Sequence, residues 1–349
     1  YIRLAQTLGE NYEDQAALFG GLLNAVGEVV AQEALAQALP ATQFSHSIAH
    51  EAGYWLYERS GLAGMASCRS DLNNDACIHG VLEEFIRENG VAGIQEAAAE
   101  CGRNPTVSQQ RECPHGIGHG FLAYTGFANL SDAVRMCDET FSDGADAWAC
   151  MEGVFMENTT PGLAGLAAER WYRQEDPMYP CNEPFAREST QAHSACWFQQ
   201  SMMTLDNARY PQFEGNIPRV HAYCNTLTGV DKRLCLHGIA RQIHARYGKD
   251  TDQLVSQCLQ LSEMGDRCLF DVARIEYDFG DHDGAIRICQ VHATDKTKCY
   301  IRIYDRIASK SHIPIESRQD ACKAMLDEER RASCVSWLES GTSLERYDV

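Results

Sequence analysis

Apolar residues recur at three- and four-residue spacing through most of this chain, in runs of roughly ten residues separated by short polar or glycine-containing breaks. CIHGVLEEFIRENGVAGIQEAAAEC (77–101) holds two such runs around Gly90, and CPHGIGHGFLAYTGFANLSDAVRMC (113–137) holds two around Gly126. CLHGIARQIHARYGKDTDQLVSQC and CLFDVARIEYDFGDHDGAIRIC break likewise near Gly248 and Gly280, and CYIRIYDRIASKSHIPIESRQDAC ends the series. That period and length predict two antiparallel helices per segment, with the glycines at the turn. Upstream, LAQTLGENYEDQAALFGGLLNAVGEVVAQEALAQAL and FSHSIAHEAGYWLYERSG predict two or three further helices. The segments 150–181 and 196–224 are longer, and their turn-rich NTTPGLAG and NARYPQFEGNIP are expected to project as loops from one face.

Every one of the repeating segments begins and ends at a cysteine. The sixteen cysteines form eight close pairs: Cys68 with Cys77, Cys101 with Cys113, Cys137 with Cys150, Cys181 with Cys196, Cys224 with Cys235, Cys258 with Cys268, Cys289 with Cys299 and Cys322 with Cys334. First members recur every 31 to 44 residues and partners stand 9 to 15 apart, the pattern of similar units each stapled once. No C-x-x-C occurs, which removes zinc ribbons and haem c attachment. An even, regular set points to disulfides and an oxidising compartment. Pairing neighbours uses all sixteen; pairing within a hairpin (77 with 101, 113 with 137) leaves Cys68 and Cys334 over, so the neighbour scheme is favoured. Each such bridge contributes about 2–4 kcal/mol by loop-closure entropy. The expected fold is all-α, an α-solenoid of stacked antiparallel helix pairs with one disulfide per repeat. Residues 1–67 form a helical cap and 68–349 the stapled array.

ARIEYDFGDHDGAIRIC resembles a tetratricopeptide repeat, with Ala273, Tyr277, the Gly280-Asp281 turn and Ala285 in that family's small-aromatic-GD-Ala pattern. The resemblance extends loosely over 68 to 340, without the usual proline after the second helix. It implies a helical superhelix whose concave side binds a partner, a peptide or glycan.

A net charge of −19 leaves no basic stripe for phosphates, so nucleic acid and anionic membranes are poor partners. No run approaches the ~20 apolar residues of a membrane span. A chain opening on Tyr1 fits removal of a signal peptide, and the expected location is extracellular or cell-surface, with the periplasm as an alternative.

The positions two and six after successive cysteines carry candidate metal ligands: His79 and Glu83 after Cys77, His115 and His119 after Cys113, Glu152 and Met156 after Cys150. His46 and His50 take the matching places in FSHSIAHEAG. Residues four apart share a helix face, and stacked repeats would bring these faces together as a zinc or copper site requires. A structural reading stands beside this one. Phe198, Phe270 and Ile301 fill the same column in other repeats, which marks it as packed, and a histidine there can simply bond a backbone carbonyl. Gly80, Gly116, Gly153 and Gly238 would then be small residues allowing close helix contact.

DFGDHDG lacks the Glu that closes a calcium loop and reads as a helix-helix turn, and LNND (72–75) reads as a helix cap. Asn129 and Asn158 begin N-glycosylation tripeptides, the second on the NTTPG loop. No G-x-S-x-G, HExxH or phosphate loop occurs and no cysteine is left over as a nucleophile, so an enzyme is not expected. The expected function is structural: a secreted subunit that self-associates into an extracellular filament or matrix. The alternatives are an extracytoplasmic metal-binding protein and a peptide- or glycan-binding adaptor.

Overall fold

The computed structural model describes residues 1–8, 12–39, 43–68, 75–103, 107–142, 144–159, 171–205, 210–247, 250–261, 265–278, 281–309, 319, 322–323 and 328–340. Among these there is no strand, and the chain is an all-α helical-repeat protein. The helices are α1 (Ile2–Leu8), α2 (Tyr12–Val26), α3 (Glu28–Ala38), α4 (Gln43–Ser60), α5 (Ala76–Asn89), α6 (Ile94–Cys101), α7 (Val107–Thr125), α8 (Leu130–Thr140) and α9 (Gly144–Thr159). They continue as α10 (Pro184–Arg187), α11 (Thr190–Met203), α12 (Ile217–Cys224), α13 (Gly229–Tyr247), α14 (Thr251–Leu259), α15 (Gly265–Asp278), α16 (His282–Arg287), α17 (Lys296–Ser309) and α18 (Glu328–Ser340). Two compact units divide the chain, Tyr1–Gln200 and Ser201–Val349.

All eight neighbour disulfides form. In the N-terminal unit Cys68 bonds Cys77, Cys101 bonds Cys113, Cys137 bonds Cys150 and Cys181 bonds Cys196. In the C-terminal unit Cys224 bonds Cys235, Cys258 bonds Cys268, Cys289 bonds Cys299 and Cys322 bonds Cys334. The second members Cys196, Cys235, Cys268 and Cys299 are buried inside α11, α13, α15 and α17, so each bridge lies in the core beneath its repeat. The within-hairpin alternative is thereby excluded. The bridges join the end of one hairpin to the first helix of the next, as Cys101 at the end of α6 does with Cys113 in α7.

The helices differ from expectation at their starts: α7 begins at Val107 and α9 at Gly144, ahead of Cys113 and Cys150. The short stretch enclosed by such a bridge therefore holds the first turns of a helix. In α7 this places Pro114 inside the helix, where it has no N–H to return to the preceding turn.

Within the N-terminal unit α4, α5, α7 and α9 pack successively, each against the next. Their cores follow the apolar stripe: Ile78, Val81, Leu82 and Ile86 of α5 and Phe121 and Leu122 of α7 are all fully buried. Glycine sets the spacing. A Cβ at Gly80 would collide with the carbonyl oxygen of His50, one at Gly53 with that of Cys77, one at Gly118 with that of Cys150 and one at Gly153 with that of His115. The backbones of α4 and α5, and of α7 and α9, thus meet without side chains between them. Gly116 closes the remaining pair, its Cβ position lying 3.2 Å from the His79 Cα.

The turns follow the glycines where they are described. Gly90 (φ 55°) ends α5 under the Tyr124 ring and Gly126 (φ 75°) ends α7. Gly248 and Gly280 lie outside the described residues, as does most of the NTTPGLAG segment. At DFGDHDG the Asp281 side chain accepts from the Gly284 N–H and caps α16, which makes this a helix-helix turn. Asp75, the end of LNND, stands at the N-cap of α5 without a side-chain capping bond.

Candidate metal centre

The close approach of α4, α5, α7 and α9 brings every histidine and glutamate singled out from the sequence into one buried cluster. His46 and His50 come from α4, His79 and Glu83 from α5, His115 and His119 from α7, and Glu152 from α9. The solvent-exposed fractions of His46, His50, His79 and His119 are 6, 2, 1 and 0 %. Because these residues lie beside the glycines that let the helices touch, their side chains meet across the seams instead of pointing past one another.

Four nitrogens, one each from His46, His50, His79 and His119, lie within 4.8 Å of one another. His79 Nδ1 is 3.3 Å from His46 Nε2. The ring centres of His46–His50, His46–His79, His50–His79, His50–His119 and His79–His119 are 5.0, 5.2, 5.7, 4.9 and 5.4 Å apart. Four imidazoles around a tetrahedral ion at about 2.0–2.1 Å place neighbouring nitrogens about 3.3 Å and ring centres about 5.2 Å apart. The cluster has the dimensions of such a cage. A second overlapping set, His50, Glu83, His119 and Glu157, meets the same 4.8 Å limit.

Carboxylates stand behind the rings. His50 Nδ1 lies 3.0 Å from Glu83 Oε2 and His119 Nδ1 2.8 Å from Glu157 Oε2. His115 Nδ1 contacts Glu152 Oε2 directly, and His79 Nε2 lies 3.5 Å from Glu112 Oε2. With the carboxylate ionised, as a bound cation would favour, the ring nitrogen facing it carries the proton and the other presents a lone pair inwards; with the carboxyl protonated the roles reverse. With ionised carboxylates His50, His115 and His119 turn Nε2 inwards, the carboxylate-backed arrangement of metal-binding histidines, whereas His79 Nε2 makes no hydrogen bond among the described residues. The buried His50 Nε2 has no hydrogen-bond partner among the described residues. The carboxylates are held in turn: Tyr54 donates to Glu83 Oε2 at 2.7 Å and Gln199 Nε2 donates to Glu152.

The electrostatics favour a cation. Glu83, Glu152 and Glu157 are buried, and no lysine or arginine is among the buried side chains described. Burial pushes Glu83 up to about 8 and Glu157 well above the carboxylate range, and pushes His50 down to about 4. Burial together with the neighbouring rings pulls His79 and His119 well below the usual histidine value. For His115 burial acts downward too, but Glu152 beside it, together with Glu112 and Glu157, outweighs burial and raises the ring. Carboxylates that resist ionising and rings that resist protonation both gain from a bound divalent ion.

Among the described residues the C-terminal unit repeats the helix pairing without such a cluster. His237 of α13 lies 3.3 Å from Asp271 of α15, and the Arg274 guanidinium donates to His237 Nε2 at 2.9 Å. There a guanidinium occupies the inward nitrogen. Phe270 and Ile301 fill the same column and are buried. The column therefore holds apolar core residues in the C-terminal unit and buried histidines in the N-terminal one.

The sequence reading missed Glu157, Glu112, Tyr54 and Gln199. Glu157 stands one place past the expected position, held by Met156, so a fixed four-residue spacing passes over it. Of the two glycosylation candidates, Asn129 is exposed at the start of α8, whereas Asn158 is buried in the last turn of α9 and not on the loop its context suggests. No helix among the described residues is long and apolar enough to cross a membrane. The chain matches no protein-family model, and no curated protein and no solved structure is significantly similar to it.

Proposed function

We propose that this is a metal-binding protein of an oxidising, extracytoplasmic compartment, holding a first-row transition ion in the buried histidine cluster of its N-terminal unit. The observation that carries this reading is the set of four imidazole nitrogens within 4.8 Å of one another, on four buried side chains from three helices. An imidazole set of this kind suits zinc, copper, nickel or iron and not magnesium or calcium, which take oxygen ligands. The eight disulfides support the compartment, since such bridges persist where thiols are not kept reduced.

Elemental analysis of oxidised protein, stripped with chelator and reloaded, tests the reading. At least one ion per chain is expected, and the double variant His50→Ala with His119→Ala should retain none. A wild-type chain that takes up no transition metal overturns it. Assembly into a filament is a separate proposal, suggested by the stapled array; a strictly monomeric native protein over a wide concentration range counts against it. The tetratricopeptide likeness adds a third, a peptide or glycan on the array's surface.

A further inference from the structure

We propose that the C-terminal unit carries a site for a small oxyanion ligand, one bearing phosphate or carboxylate groups, on the face of α13, α15 and α17 where Arg233, Arg267, Arg274 and Arg302 gather around Asp271. This stands apart from the metal-binding reading and uses none of its residues.

The contacts fix the register. His237 of α13 lies 3.3 Å from Asp271 of α15 and His244 lies 3.0 Å from Glu276, so the numbering rises together along both helices and they run in the same direction. Arg233 and Arg267 stand four residues before His237 and Asp271, one turn back on the same faces, which sets these two bases side by side. Arg274, three residues after Asp271, reaches across the seam to His237 Nε2 at 2.9 Å. From α17, which packs on α15, Arg302 lies close enough to act on Asp271, His237 and Arg267 alike.

Among the described side chains of this face, four guanidinium groups thus surround one carboxylate. Like charges brought together repel, and their excess is felt at Arg267. Burial, Arg302 and Arg233 outweigh the pull of Asp271 there and hold the guanidinium below the ordinary arginine value. Arg233 is exposed and Arg267, Arg274 and Arg302 are half-buried, so a dissolved anion reaches the group while packing around the Nε atoms of the last three holds their side chains in place. Planar guanidinium forks match carboxylate and phosphate oxygens two at a time. With ranks about 5 Å apart along the helices, one oxyanion touches bases of two ranks. One turn beyond, His244 faces the buried Glu276 and the excess ends. A net charge of −19 conceals this patch, so the lack of a basic stripe expected from composition holds for the chain as a whole and not for this face.

The test is isothermal titration calorimetry of the intact, disulfide-bonded chain with inorganic pyrophosphate and, separately, with succinate. Saturable binding of at least one probe, one per chain, is expected, and the tighter probe says whether phosphate or carboxylate oxygens are preferred. Binding should weaken about tenfold or more in Arg267→Gln and about threefold or more in Arg233→Gln. It should also fall as salt is added. Arg135→Gln, on α8 of the other unit, should bind as wild type does. No saturable binding of either probe, or wild-type affinity in both Arg267→Gln and Arg233→Gln, overturns the site. Should Arg267→Gln fail to fold, Arg233→Gln decides alone, since its side chain is exposed.

Discussion

Gly80 of α5 rests directly on the carbonyl oxygen of His50 in α4, with no space for a β-carbon between them. The same relation recurs between Gly153 and His115. In both pairs a residue next to a cage residue on one helix touches a cage histidine on the other, so the backbone seam itself sets the distances inside the cage.

Gly80→Ala and Gly153→Ala should each destabilise the N-terminal unit by about 1–3 kcal/mol or more, because a backbone oxygen cannot rotate out of the way. Both should also lose metal. Gly21→Ala is the control: it lies in α2 with nothing within 4 Å, and should be neutral or stabilising by up to about 1 kcal/mol. Denaturant titration and elemental analysis on the three variants check this.

Metal should raise the unfolding temperature in a concentration-dependent way. Free ion at about a thousand times its Kd adds about 4 kcal/mol to a folded state that binds it alone. Calorimetry of stripped and loaded protein should show the gain in wild type and its absence in the double variant His50→Ala with His119→Ala.

The metal-free protein should lose stability as pH rises from about 6.5 to about 8. Burial holds Glu83 up to about 8 and Glu157 well above its ordinary range, so the folded state keeps protons that the unfolded chain has released. Below about 6.5 the depressed His50, His79 and His119 act in the opposite sense, since unfolding then takes up protons. Above that point the carboxylates set the slope. Urea midpoints across this window should fall for stripped protein and stay level once the ion is bound.

Asp271→Asn should weaken the C-terminal unit by about 3–5 kcal/mol, the usual cost of removing one partner from a buried ion pair. Burial alone would raise the Asp271 carboxyl, but His237, Arg302 and Arg274 outweigh it and hold it below the usual range. Its contribution is therefore present above the unfolded carboxylate value and lost on acidification towards the folded one. Hydrogen exchange in α13 and α15 of the variant reports the loss.

The helical pairing, the neighbour disulfides and seven members of the cluster were legible in the sequence, because cysteine spacing and a four-residue helical period survive any packing detail. His46 and His50 were found by register alone, without a cysteine to anchor them. What the sequence could not supply was the set of carboxylates around the rings: Glu157 and Glu112, which face His119 and His79, come from positions no repeat period marks. The buried Asn158 shows the same limit: its tripeptide is visible in the chain, but its place inside the last turn of α9 is not.

Every bridge spans only 9 to 15 residues of chain. A polypeptide emerging end-first into an oxidising space can therefore complete each crosslink soon after its second thiol appears, without waiting for distant segments. The order of synthesis then becomes the order of closure, and the sixteen thiols avoid the many wrong pairings that an equal number scattered over a globular core would have to sort through.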